Sequence, residues 1–221
     1  NGFDPALNDY RKVMISPGVG GTRIQDMMRG SASWTKMLNQ IQGIKNIANA
    51  AGKTCKVGLQ AWTHGEANTA DTTEVYKVLL IRLNQEMNED ISAITGQTEI
   101  VKTVFYQLSL YNSESIQKAF FELFQEMPER FALSCPMYQF AWHVNEGIHF
   151  LNGEESFKYG LTAGYVNKRV SKDNFDWKPL YPTKFTAQAN IVEIEFHVPE
   201  GKLMLNASLV TNPGNYGFNV R

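Results

Sequence analysis

Two short stretches carry the side chains best suited to moving a proton, Trp62-Thr63-His64-Gly65-Glu66-Ala67-Asn68 and Glu146-Gly147-Ile148-His149, with Gly20-Gly21-Thr22 ahead of both. Histidine titrates nearest neutrality, so it can take a proton and return it. An acid three residues before a histidine, on a turn or first helical turn, can reach its Nδ1–H, and Glu146 holds that position before His149. The pair fits the base and orienter of an acyl transfer, which also needs a nucleophile and donors for the oxyanion. The competing role of a lone histidine is a hydrogen-bonded packing residue, and that of a glycine pair is an ordinary strand-to-helix turn. His64, His143, His149 and His197 show no i, i+4 spacing with a glutamate, so the spacing points to no metal site. Gly18-Val19-Gly20-Gly21 lacks both the Lys-Ser of a phosphate loop and the dinucleotide-binding spacing, so no cofactor is expected.

The elements that must position these residues alternate. Residues 12–16 read as a short strand running into the glycine turn, and residues 34–51 as a helix with Met37, Leu38, Ile41, Ile44, Ile47 and Ala48 at helical spacing and Gly52 as its stop. Ser31 and Ser33 read as helix caps. Residues 56–62 form the next strand and 72–94 a long helix with Val75, Leu79, Leu83, Met87 and Ile91 on one face. Strand 100–110, helix 113–127 and strand 131–138 complete the order βαβαβαβ, which predicts an α/β fold: a three-layer α/β/α parallel sheet. Its motifs would surface together at the carboxyl edge of the sheet. Residues 172–184 read as a linker or strapping loop. Residues 191–198 and 203–210 flank a Pro199-to-Lys202 turn and read as a β-hairpin. The expected organisation is an α/β domain over 1–170 and a linker with a partial, β-rich C-terminal extension over 171–221.

In this order the three blocks resemble the SGNH (GDSL-like) hydrolases, and within them the sialate O-acetylesterase-like carbohydrate esterases, whose blocks run Gly-Gly-Thr, Gln-Gly-Glu-x-Asp and Asp-x-x-His. Gly20-Gly21-Thr22 with Ile24 and the downstream Trp34 fits the first block. The resemblance implies a flavodoxin-like sheet and a serine carboxylic-ester hydrolase that removes acetyl groups from a glycan or polysaccharide. His149 would be its base and Glu146 its orienter, with Gly20 and Gly21 at the oxyanion hole. It also implies His64 or Asn68 as side-chain oxyanion donor and Glu66 as a loop-pinning carboxylate. His64 stands where the family has glutamine, Asn68 where it has aspartate, and Glu146 where it has aspartate. The family's nucleophilic serine precedes the Gly-Gly-Thr block by a whole βα unit, and residues 1–15 contain no serine. The nucleophile is therefore expected in sequence upstream of residue 1, a separate fragment of the same protein being one such source. Similar domains occur in bacterial esterases and in phage tail proteins, which implies an extracellular or virion-associated setting.

Composition narrows the partners. The 221 residues suffice to bury a full core. A net charge of −1 with scattered Lys and Arg gives no stripe for a nucleic-acid backbone, so no nucleic-acid partner is expected. No apolar run reaches the roughly 20 residues of a membrane span, and the first 15 residues lack signal-peptide order. Cys55 and Cys135 read as free thiols or one bridge. The alternative function is a glycan-binding module without catalysis, with Trp34, Trp62, Trp142 and Trp177 as candidate stacking platforms. A homo-oligomer is compatible with either.

Overall fold

A computed structural model describes residues 12–108, 114–143, 149–173, 175–189 and 191–204. Strands β1 (Leu59–Trp62), β2 (Lys102–Gln107) and β3 (Phe131–Pro136) form a parallel sheet in the order β1-β2-β3. Its register sets Trp62 beside Phe105 and Phe105 beside Leu133. Helix α2 (Thr73–Thr95) packs between α1 (Ala32–Ala50) and α3 (Glu114–Glu126), and α3 packs on β2 and β3. Phe105 stacks on Phe120 of α3 with ring centroids 4.5 Å apart. Its neighbours in the pleat face the other way: Val104 and Ala132 meet Val166 and Val170 of α4 (Gly153–Ser171), which crosses the second face. A mixed α/β fold with helices on both faces of a parallel sheet is therefore present.

The helices begin and end where local chemistry dictates. Ser31 accepts from the Trp34 amide at 3.1 Å and Thr72 from the Val75 amide at 3.3 Å, each satisfying an orphan donor of the first turn. Gly96, at φ 79°, closes α2 through its N–H to the Ser92 carbonyl. Tyr76, Leu80, Leu83, Met87 and Ile91 give α2 one fully buried stripe, each worth about 1.5–3 kcal/mol against exposure. At the far end of β1, Gln97 acts as a side-chain strand partner: its Oε1 accepts from the Val57 amide and its Nε2 donates to the Val57 carbonyl.

Three sequence expectations fail. Residues 12–16 form no strand; Val13 and Met14 are exposed, and no described strand pairs with this segment, β1 being the edge of the sheet among the described residues. Residues 191–197 do pair as a hairpin, but with the segment expected to be a linker: β4 (Tyr181–Gln188) lies antiparallel to β5 (Ile191–His197). Pro182 obscured β4, and the ladder accommodates it at a register shift between Pro182 and Lys184. The expected return strand 203–210 is irregular at 203–204 and otherwise lies outside the described residues, as does the segment 218–221. Finally α4 had no counterpart in the sequence reading. Its N-cap is Asn152, which accepts from the Glu155 amide at 3.1 Å. No helix among the described residues is long and apolar enough to cross a membrane. Cys55 and Cys135 are free thiols.

Gly65, at φ 142°, joins β1 to the loop behind it. A Cβ there would stand 2.6 Å from Leu108 Cδ1 and 3.0 Å from Ile116 Cγ2. Gly65→Ala is expected to lower stability by about 2–5 kcal/mol through strain and overpacking, read as a shift in urea midpoint. Gly18→Ala, where a Cβ meets nothing within 4 Å, is expected to leave the midpoint in place.

Candidate active site

The carboxyl ends of the three strands lie side by side, and each leads into a segment singled out by its chemistry. β1 delivers Trp62 and His64. Trp62 Nε1 donates to Tyr76 Oη at 3.2 Å, Tyr76 Oη lies 2.8 Å from His64 Nδ1, and His64 Nε2 lies 2.9 Å from the Thr22 carbonyl. An indole N–H only donates and a carbonyl only accepts, so every bond between them has its direction fixed. The Tyr76 hydroxyl donates to His64 Nδ1, and Nε2 carries the imidazole proton. Burial keeps His64 neutral: desolvation pulls its pKa below the usual histidine value, and the Thr22 carbonyl and Glu66 only partly offset it. The buried Tyr76 phenol is pushed far up by the same desolvation.

Asn68, buried on the loop after β1, ties down the other end of the same segment. Its Oδ1 accepts from the Ile24 amide at 3.0 Å, and its Nδ2 donates to Gln25 Oε1 at 2.9 Å and to Asp71 Oδ2 at 2.6 Å. Burial alone would raise the Asp71 carboxyl. Hydrogen bonds from Asn68 and Gln25 and the Arg23 guanidinium outweigh it and hold the group below the usual carboxylate range. His64 and Asn68 thus staple residues 22–25 to the end of β1. Gly20 and Gly21, the latter at φ 69°, stand exposed just ahead of the stapled segment. The two blocks meet as the sequence order suggested, but neither side chain, His64 or Asn68, offers a free N–H to an oxyanion, since their side-chain hydrogens are engaged.

Glu66, half-buried, was expected to pin backbone amides; its described contact is the Tyr106 hydroxyl on β2, which donates to Oε1 at 2.7 Å. Burial, followed by the Glu66 charge, pushes the Tyr106 phenol far up. Aromatic contacts continue from there towards β3. The Tyr106 ring meets Tyr159 of α4 edge-on, and Tyr159 packs on Phe140 and Phe150. Phe150 is the neighbour of His149 in the loop between β3 and α4. That loop closes by a bridge between Trp142 and Phe150, whose rings stack at 4.9 Å, and by the Ala141 amide donating to Glu155 Oε2 at 2.8 Å. His149 is exposed on this loop, while Glu146 and Gly147 lie outside the described residues.

Two of the four tryptophans are closed to a sugar by burial. Trp34 and Trp62 are buried, and the Trp142 and Trp177 indoles donate to the Met137 and Leu133 carbonyls. Among the described residues, Tyr138 on the turn directly after β3 is an exposed aromatic at this edge. Sequence reasoning also missed Tyr76, Tyr106, Tyr159 and Asp71. Their signal was present for the two residues at strand and helix ends, since a tyrosine on a buried face needs a partner for its hydroxyl.

A search of solved structures finds a protein of Arabidopsis thaliana with a TM-score of 0.54 and 16% sequence identity, covering 69% of this chain and 58% of that one. At that identity the likeness concerns the fold alone. This chain spans less than two thirds of that protein's length. No protein-family model matches the chain, and no curated protein does.

Two measurements test the stapled edge. Tyr76→Phe leaves Trp62 Nε1 and His64 Nδ1 without their buried partner and is expected to cost about 1–3 kcal/mol in chemical denaturation. Neutral His64 also makes stability pH-dependent. Unfolded histidine binds its proton near pH 6.5 and folded His64 only at lower pH, so the contribution is complete above about 6.5 and lost as pH falls through the folded value. The denaturation midpoint should therefore fall on acidification below about pH 6.5, and His64→Gln should flatten that fall.

Proposed function

We propose that the chain is the major part of a carbohydrate O-acetylesterase of the SGNH type, with its serine nucleophile supplied by sequence upstream of residue 1. The observation that carries this is the meeting of the Gly20–Thr22 turn and the His64–Asn68 block at the carboxyl edge of a parallel sheet. His149 stands on the β3-to-α4 loop of that same edge. In this reading the serine oxygen attacks the acetyl carbonyl and passes its proton to His149, which returns it to the departing sugar oxygen. Water then releases acetate by the same route. The Gly20 N–H donates to the oxyanion, and Gly21 supplies the turn that presents it. Glu146 orients His149. His64, Glu66 and Asn68 hold the loops rather than touch the substrate.

A second reading, glycan binding without cleavage, is favoured by one observation: the side chains expected to donate to the oxyanion are committed to the fold, while Tyr138 is left exposed at the same edge. The two separate in the full-length protein assayed for acetate release from an acetylated glycan. His149→Ala should fold normally, since the residue is exposed, and should lower kcat by about 10² to 10⁴. Glu146→Gln should cost less. Undiminished acetate release by His149→Ala refutes the mechanism; binding of the glycan with no release by the wild type establishes the second reading.

A further inference from the structure

We propose that a second copy of this chain docks on the outer face of α4, the two helices lying antiparallel about a two-fold axis through Leu161. Helix α4 turns one face to the sheet, where Val166 and Val170 pack on Val104 and Ala132. At 3.6 residues per turn, Phe157, Leu161 and Gly164 fall on the opposite face. That face is open: Phe157 is 65% and Leu161 60% exposed. With Lys168 the stripe runs at spacings of four, three and four residues, the seam along which paired helices meet. Large apolar side chains grouped on one exposed face add nothing to the core of their own chain and mark a contact with another.

The charges of the helix say what fits that stripe. Its first turn is acidic, with Glu154 and Glu155, and its last turn basic, with Lys168 and Arg169. Glu154 and Lys168 each stand seven positions from Leu161, two turns to either side on the outer face. Each has a local neighbour, Lys158 at 2.9 Å and Asp173 at 3.6 Å, yet their side chains stay 70% and 52% exposed. A copy turned about Leu161 sets Glu154 of one chain against Lys168 of the other, twice over, and opposes the two helix dipoles. A parallel copy would set like charge on like. Phe157 and Tyr165, four positions either side of Leu161, also face each other across the axis. Beside Tyr165 the exposed Gly164 leaves room for the Phe157 ring: a Cβ there would meet nothing within 4 Å, so the chain's own packing does not use that space.

One helix from each copy covers less than the roughly 800 Å² per partner of a standard interface. Association is therefore expected to depend on concentration. The inference is independent of the esterase reading, because it needs neither a nucleophile nor a substrate.

Sedimentation velocity of the full-length protein over a concentration series decides the matter. The expected result is a monomer–dimer equilibrium that moves to dimer as concentration rises. Leu161→Glu, at an exposed residue, should leave the urea midpoint in place and abolish the dimer, while the same change at Ile47 of α1, 73% exposed, should leave the dimer intact. Glu154→Lys and Lys168→Glu should each weaken association several-fold, because the two-fold axis turns both attractive contacts into repulsive ones. Combined in one chain, the two substitutions should restore it. A wild type that stays monomeric at every concentration, a dimer indifferent to Leu161→Glu, or a double variant no better than the single ones overturns the proposal. Were another part of the same protein the occupant, the wild type would stay monomeric and Leu161→Glu would lower the urea midpoint. Acetate release enters none of these measurements, so failure here and failure of the esterase reading are separately visible.

Discussion

The carboxyl edge of the sheet depends on three hydrogen bonds that run in one direction, from the buried Trp62 indole through the Tyr76 hydroxyl and the His64 imidazole to the Thr22 carbonyl. The two ends of the relay can play one part only, and they fix the two middle members, each of which could otherwise play either. A second proton on His64 would point a donor at the Tyr76 hydroxyl, which already accepts from Trp62 and would have to turn its own proton into a buried, apolar neighbourhood beside Phe120. Leaving such a group unpaired costs about 1–3 kcal/mol. The relay thus holds a tautomer, and the tautomer holds the chain: Thr22 is fixed to the end of β1, and Asn68 fixes Ile24 beside it.

Much of this fold was legible because its signals are local. Ser31, Thr72 and Gly96 mark helix ends by hydrogen bonds within four residues, and the apolar stripe of α2 is set by helical spacing alone. The failures share a different cause. Residues 12–16 have strand composition, but a strand exists only with a neighbour, and none is present among the described residues. Segment 181–188 looks like a loop because of Pro182, until a bulge against β5 makes room for it. Helix α4 has Phe157 and Leu161 exposed and Glu155 buried, so its apolar pattern pointed away from the face that packs.

The candidate site divides along the same line. That Gly20–Thr22 and His64–Asn68 belong together was readable from their order. That His64 and Asn68 act as staples was not, since residue type says what a side chain can donate and not whether the hydrogen is already spent. The cross-strand placement of His143 and His149 was likewise hidden, because it depends on the register of a bridge between Trp142 and Phe150.

The strand ends also constrain where a nucleophile can stand. Ser134 and Cys135 lie near the carboxyl end of β3, yet the Ser134 hydroxyl donates to the Phe105 carbonyl at 3.0 Å, and burial pushes the Cys135 thiol up to about 11. A thiol with that pKa is almost wholly protonated near neutrality and does not attack an ester. The end of β2 is closed as well: Leu108 packs where Gly65 leaves room, and Tyr106 is bonded to Glu66. Among the described strands that leaves β1, which pairs with β2 on one side and with no described strand on the other. A strand added there would run beside Trp62 and end against the stapled Thr22 segment. Under the esterase reading, the strand that carries the serine is proposed to pair here, next to the segment that leads to His64.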